Sequence, residues 1–513
     1  MIRNVLSVGG LTLLSRATGF LRDMLTAAAL GAGPVADAFF IALRLPNHFR
    51  ALFAEGAFAA AFVPLFSGKL TAEGEAAAKE FAAQAQSLLL TAQLILLAAA
   101  LVFMPQFLML FAPGFSGDPQ RLELATLFTR ITFPYLAFIS LETLYAGVLN
   151  AKGRFAAAAA APVLMNLAMI AALLAATPFL PTAGHALAWA VLVSGVLQYA
   201  LVAGDAARCG FLLPPRLPRL TPDVKKFLVL LGPAMLGAGL TQINLFADTV
   251  IASLLPTGSV SYLYYADRLN QLPLGVIGVA VATVLLPELS RRIKSGDDAG
   301  ALAQQNRAME ISLLAALPAA VAFIIIGDSL MSALFEYGRF DAAAAQASAA
   351  TLAAYAVGLP AFILLRSLVA SFYAREDTKT PVRAAVAATA VNVALKIALM
   401  GPLAQVGLAT ATAAAAWINA GLLTLALRRK GCFSPDARLK RTAPRLALAA
   451  LTMAPALWGL EWLLAPWLAP PAVMPIRLAA ISGLCLGGAL TYAAAAFALG
   501  AVDKDLLRRL RKR

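Results

Sequence analysis

A chain of 513 residues that is 61% hydrophobic and only 13% charged, with 41 Lys+Arg against 26 Asp+Glu, is composed for a bilayer. Water-soluble domains carry about 25% charged residues, and the apolar stretches of roughly twenty residues that succeed one another here exclude a soluble enzyme, a disordered chain and a transmembrane barrel. Cys209, Cys432 and Cys485 are isolated, with no CxxC and no nearby His, so free thiols, no metal and no resident cofactor are expected.

In chain order, apolar runs bounded by Gly, Pro or charge predict fourteen membrane helices. The first, near 5–30, has the length of a signal peptide, but Arg16, Arg22 and Asp23 interrupt its apolar core, so it is read as a retained helix. The second, near 35–66, carries Asp37, Arg44, Arg50 and Glu55 and is interrupted at Pro46-Asn47. Arg16 and Asp23 lie seven residues apart, as do Asp37 and Arg44, so each pair shares a helical face where it can partly neutralise itself. Gly19 is a point where the first helix can loosen. Spans near 83–111, 122–149, 156–177 and 185–205 follow.

The seventh span, near 225–254, holds Asp248, a lone acid among apolar residues, which suits a cation or proton site or equally a hydrogen bond to a neighbouring helix. The eighth, near 260–288, opens with Ser261, Asp267 and Arg268. Six more lie near 306–334, 343–373, 381–400, 406–427, 444–465 and 475–499. Within these spans Arg130, Glu142, Glu310, Arg366, Lys396 and Glu461 are expected to sit near interfaces or pair locally. His48 and His185 have no metal partner in sequence, and no phosphate-cradling Gly loop appears, so ATP hydrolysis is not expected.

With both termini inside, every second loop is cytoplasmic, and those segments hold 27 basic residues against 3 at the outer loops and their edges, namely Arg121, Arg339 and Arg477. That asymmetry satisfies the positive-inside rule, so most of the basic excess orients the spans rather than binding nucleic acid. A repeat is also visible at a spacing near 224. Ala137-Phe138-Ile139 recurs as Ala361-Phe362-Ile363, Arg44-Leu45 as Arg268-Leu269, Pro64 and Ser67 as Pro287 and Ser290, and Asn166 as Asn392. The expected fold is therefore an all-α polytopic membrane protein with 14 transmembrane helices. It comprises two six-helix lobes, 1–215 and 222–430, in a parallel pseudo-two-fold repeat, with two extra C-terminal helices at 440–500 and a basic cytoplasmic tail at 501–513.

A charge at the bilayer centre costs about 3 kcal/mol on insertion scales, so the seven on the first two spans would cost on the order of 20 kcal/mol facing lipid. They must face protein or water. An arginine cluster from both lobes makes a central cavity electropositive, and paired N–H donors suit phosphate, so an anionic, phosphate-bearing cargo is expected. Structural ion pairs that lock helices, or snorkelling near span ends, remain the alternative for each residue. Arg50 and Glu55 also suit a gating salt bridge.

The run Ser15-Arg16-Ala17-Thr18-Gly19-Phe20-Leu21-Arg22-Asp23, with Ala36-Asp37-Ala38-Phe39, Leu45-Pro46-Asn47, Phe49-Arg50, Glu55-Gly56-Ala57 and Phe62-Val63-Pro64, closely resembles the MurJ (MviN) family of lipid II flippases. Tyr265-Ala266-Asp267-Arg268-Leu269, Pro273-Leu274-Gly275 and Asp377-Thr378-Lys379-Thr380-Pro381 extend the resemblance along the chain. It implies membership of the multidrug/oligosaccharidyl-lipid/polysaccharide exporter superfamily. It also implies a transporter rather than an enzyme, exporting the lipid-linked peptidoglycan precursor across the bacterial inner membrane for cell-wall synthesis and cell shape. By motif, Arg16, Arg22, Arg50 and Arg268 match the family's cavity arginines, Asp37 and Glu55 its acids, and Ser261 and Asp267 neighbouring positions; Asp23 belongs to the same run. Asp248 resembles the helix-seven acid of a sodium site in some relatives, whereas Asn392 stands where a second acid is expected.

Alternating access would then carry the diphosphate head between the lobes, held by Arg16, Arg22 and Arg268, while the undecaprenyl tail rides in lipid along a groove of the last two helices. Sodium or proton coupling, or the membrane potential alone, could drive it, since moving two charges across about 100 mV is worth roughly 4–5 kcal/mol. Expected partners are lipid II, membrane phospholipids and the wall-synthesis machinery, around a monomer that binds no nucleic acid. The rivals are a cation-coupled exporter of another lipid-linked oligosaccharide or of drugs, whose cavity should favour acids and aromatics, and a structural scaffold.

Overall fold

The computed structural model describes residues 2–53, 56–214 and 216–502. The described residues of the predicted stretches are largely helical, and among the described residues nine helical stretches are long and apolar enough to cross a bilayer. The chain divides into two compact units, Met1–Ser261 and Tyr262–Arg513.

The first unit contains α1 (Ile2–Leu30), α2 (Pro34–Phe53), α3 (Gly56–Ala72), α4 (Gly74–Val102), α5 (Met104–Phe111), α6 (Pro119–Thr132), α7 (Tyr135–Ala151), α8 (Ala156–Ala171), α9 (Ala183–Arg208) and α10 (Pro222–Ser253). At its close begins α11 (Ser259–Pro273). The second unit continues with α12 (Val279–Lys294), α13 (Asp298–Ile325), α14 (Gly327–Phe335), α15 (Ala342–Tyr373), α16 (Lys379–Arg429), α17 (Ala437–Leu468) and α18 (Met474–Ala498). Some predicted spans are therefore two helices end to end, as α6 and α7 are across Phe133-Pro134. Conversely, α16 holds two spans, with Ala404 (φ 45°, ψ −126°) outside helical geometry between them.

Aromatic residues at helical spacing build one core of the first unit. Phe58, Phe62 and Phe66 of α3 stack in succession at 5.3 and 5.5 Å between ring centroids, and Phe81 of α4 and Phe227 of α10 pack against them. In the second unit α15 lies against α16, α13 and α14. Gly358 permits this, because a Cβ there would stand 2.7 Å from the Ala413 backbone.

Helices in both units end in the same way. Gly153 after α7 and Gly210 after α9 adopt positive φ, and the following residues, Arg154 and Phe211, donate back to the Leu149 and Ala206 carbonyls. After α15 and α16, Glu376 and Gly431 do the same, with Asp377 and Cys432 donating to Phe372 and Leu427. These are left-handed C-caps that satisfy carbonyls a helix end leaves open. Asp377 also accepts from the Thr380 amide and hydroxyl at 3.0 and 2.7 Å and pairs with Lys430, contacts that hold its carboxyl well below the usual carboxylate range. The Asp-Thr-Lys-Thr-Pro run thus starts α16.

The last two helices are fastened to the second unit by polar contacts at both ends. Arg438 of α17 reaches Glu310 of α13 at 3.1 Å, and Glu461 accepts from Ser329 of α14 at 2.5 Å. Arg477 of α18 is buried, grips the Ser332 and Glu336 carbonyls and stacks over Tyr337 at 4.3 Å.

One expectation needs correction. Pro46 and Asn47 do not interrupt α2, which runs through them. Proline removes the N–H that would bond the Ala42 carbonyl, and the buried Thr132 hydroxyl of α6 donates to that oxygen instead at 2.9 Å. The Asn47 side-chain amide donates to the next carbonyl, Leu43, at 2.7 Å. Thr132→Val keeps the shape but strands the Ala42 oxygen, so it is expected to cost about 1–3 kcal/mol, read from unfolding in detergent.

Candidate functional site

At one end of the first unit, Gly31 turns the chain with φ 66°, and α2 then places Asp37 in its first turn. Asp37 is fully buried. Its carboxylate accepts from the Gly258 amide at 2.7 Å, the Ser261 amide at 3.0 Å and the Ser261 hydroxyl at 2.7 Å. An acid from α2 therefore caps the N-terminus of α11, where unsatisfied N–H groups and the helix dipole favour negative charge. Arg121 completes the site, 3.3 Å from Asp37 and 4.1 Å above the Phe115 ring.

Asp37 thus pairs with Arg121, not with Arg44 as the seven-residue spacing suggested. Arg121 stands at the edge of its span, in the first turn of α6, which the Asp118 side chain and Pro119 start. The local signal was Asp-Pro followed by Arg at the first turn of a helix.

Deeper in α1, Arg22 is held on two sides. Its Nε and Nη2 donate to Asp23 at 3.1 and 2.7 Å, and its Nη1 donates to Asn166 of α8 at 2.8 Å. The Asn166 amide donates in turn to the Ser15 carbonyl at 2.9 Å and the Thr18 hydroxyl at 3.2 Å. Gly19 makes this possible rather than loosening the helix, since even a Cβ there would lie 3.3 Å from Asn166 Nδ2. A guanidinium with three donor atoms committed has a fixed plane, which is what pre-organised anion binding requires. Arg16 is solvent- or lipid-accessible on another face of α1. Asn166 is half of a repeat pair, and nothing in its spacing signals a contact with Arg22.

Farther along α2, Arg44 and Arg50 are half-buried, and Glu55 lies outside the described residues. His48 contacts α10 through both ring nitrogens, Nδ1 to Gln242 Oε1 and Nε2 to Thr249 Oγ1, each at 3.3 Å. Asp248, half-buried, precedes Thr249. His185 is different in kind, because Thr182 meets its Nδ1 at 2.8 Å in the opening turn of α9 and Phe128 packs against its ring.

In the second unit Arg268 lies over the Tyr264 ring one turn back, 4.6 Å from its centroid. Asp267 accepts from Gln271, one turn on. Asn392 is buried within α16, and so is Lys396 one turn later, a cation the sequence analysis had set aside. Among the described residues no cluster of His, Cys, Asp and Glu could hold a metal ion.

The profile of the family described as "Lipid II flippase MurJ" matches residues 26–476. The chain belongs to the MurJ family. MurJ relatives align along most or all of it. It is 44% identical over 518 residues to the probable lipid II flippase MurJ of Rhizobium meliloti, covering 100% of this chain and 96% of that one. It is 37% identical to the lipid II flippase MurJ of Burkholderia cenocepacia over 458 residues, covering 88% and 89%. A solved MurJ, titled as the inward closed conformation, superposes with a TM-score of 0.79 at 25% identity over 95% of this chain and 97% of that one. An inward-facing multidrug MATE transporter of the MOP superfamily shares the fold at a TM-score of 0.66 and 18% identity, covering 81% of this chain and 94% of that one. MurJ membership makes the chain a membrane transporter rather than an enzyme.

Proposed function

We propose that this MurJ chain flips lipid II from the cytoplasmic to the outer leaflet of the inner membrane by alternating access, with both termini inside. The two six-helix repeats act as the rocking lobes. The observation that carries this reading is the Arg22 guanidinium clamped between Asp23 and Asn166, a fixed cation on a membrane helix. Paired N–H donors match phosphate oxygens, and Arg is weakly hydrated, so it binds a diphosphate at modest desolvation cost. Arg16 and Arg268 supply further charge, and Arg50 with Glu55 and Asp267 lie on the same two repeat-related segments. Asp37 with Ser261 serves closure rather than cargo, since its carboxylate is already saturated with donors. The prenyl tail stays in lipid beside α17 and α18.

Purified protein in vesicles containing labelled lipid II tests this. Protein-dependent movement of the head group across the bilayer is expected, and Arg268→Ala should slow it by roughly 10-fold or more, the worth of one charge-assisted hydrogen bond. Vesicles that move a cationic drug but not lipid II would replace this reading with the exporter, and a silent Arg268→Lys together with no movement would favour a scaffold.

A further inference from the structure

We propose that Arg366 of α15 is an anion-binding residue of the second unit, separate from Arg268, and that it takes a carboxylate of the cargo's peptide. The proposal rests on the flippase reading and adds to it a second point of contact.

Arg366 lies inside a membrane span, seven residues and about 10 Å before the end of α15 at Tyr373. It is exposed, and among the described residues it makes no hydrogen bond, ion pair or ring contact. The local pairing expected from the sequence is absent. Lipid is a costly surround for a guanidinium, so an exposed one at this depth faces water. Snorkelling to the nearer helix end does not explain it. A helical side chain leans toward the N-terminus of its helix, which here is the farther end, and Arg375 already serves the near end by folding back on Ser371. The Arg366 stem instead crosses to the eighth span, where its Cγ and Nε lie 3.5 and 3.9 Å from the place a Cβ would take on Gly278. Gly278 closes the π-helical turn Leu274–Gly278 between α11 and α12, and turns of this kind recur at functional sites.

The repeat adds a contrast. The shift that carries Ala137-Phe138-Ile139 to Ala361-Phe362-Ile363 carries Glu142 to Arg366. Glu142 is buried, whereas Arg366 is presented to solvent.

Both arginines of the second unit lie along one span, but far apart. Arg268 and Gly278 are ten residues apart, about 15 Å of helix rise, and Arg268 leans back over Tyr264, away from Gly278. Two phosphates joined through one oxygen cannot reach both guanidinium groups at once. With the diphosphate at Arg268, the uncommitted N–H fork of Arg366 meets a different anion of the cargo. The carboxylates of its peptide are that anion, and paired N–H donors match a carboxylate as well as they match a phosphate.

Affinities for lipid II and for the same lipid without its peptide, measured on the full-length protein in nanodiscs of neutral lipid, test this. Arg366→Gln is expected to weaken lipid II binding by roughly 10-fold and binding of the peptide-free lipid by less than about two-fold, since a charge-assisted hydrogen bond is lost only from the first. Arg268→Ala should weaken both. Arg366→Lys should fall between wild type and Arg366→Gln, keeping the charge without the fork. Because the guanidinium has no polar partner within the protein, Arg366→Gln should leave the unfolding midpoint in detergent unchanged. Unchanged lipid II binding in Arg366→Gln overturns the proposal. Equal weakening of both lipids overturns it too, since the contact would then be with the diphosphate, or with the fold itself if the unfolding midpoint drops. Wild-type protein that binds neither lipid removes the flippase reading and this inference together, a result distinct from wild-type binding on which Arg366→Gln has no effect.

Discussion

Asp37→Ala is expected to destabilise the protein by about 3–5 kcal/mol, the range for breaking a buried ion pair by removing one partner. The loss has two sources. Arg121 is left as a buried cation without its carboxylate, and the Gly258 and Ser261 amides lose their acceptor at the start of α11. Asp37→Asn separates these sources, since its carbonyl oxygen still accepts while the charge is gone, and should cost about 1–3 kcal/mol. Adding Arg121→Met to Asp37→Ala should recover part of the loss, because an apolar side chain of similar length removes the stranded charge. Unfolding of all four proteins in detergent measures this. A cost below about 1 kcal/mol for Asp37→Ala would mean that water replaces the carboxylate and the site is not sealed.

Arg22→Ala should reduce lipid II movement by roughly 10- to 100-fold, the equivalent of losing one hydrogen bond to a charged group at about 1.5–3 kcal/mol. The sharper comparison is Arg22→Lys. An ammonium keeps the charge but cannot bridge Asp23 and Asn166 in one plane while presenting donors elsewhere, so the lysine variant should stay close to the alanine variant. Asn166→Ala removes one side of the clamp and leaves the arginine in place, so an intermediate loss is expected. Initial rates in vesicles at equal protein content read all three. Wild-type rates in Arg22→Lys would show that charge alone suffices and that the clamp is structural.

Hydropathy located the helical stretches because burial in lipid imposes a similar apolar length on each, whatever the packing. It could not find the breaks within spans such as α6 and α7, which depend on single Pro and Gly positions, nor the continuity of α2 through Pro46, which depends on a hydroxyl from another helix. The candidate residues were legible for a simple reason: a charge inside an apolar run is conspicuous. Their partners were not. Asp37 meets Arg121 and Arg22 meets Asn166 across 84 and 144 residues of chain, and such pairings follow from tertiary approach, for which spacing along one helix is no guide. The partners of Arg477 were equally hidden, since they are carbonyl groups at the end of α14, far from it in sequence.

The bond from Thr132 to the Ala42 carbonyl has a mechanical consequence. A proline bend is ordinarily the softest point of a helix, free to open and close because the missing hydrogen bond offers no resistance. Here the gap is filled from α6, so a change in the curvature of α2 at Pro46 requires either breaking that bond or pulling α6 along. With Asp37 tied to Arg121 of α6 about two and a half turns before Pro46, the two helices are joined at two points on the N-terminal side of the proline. A force applied to this part of α2 is therefore shared with α6 rather than absorbed at a hinge.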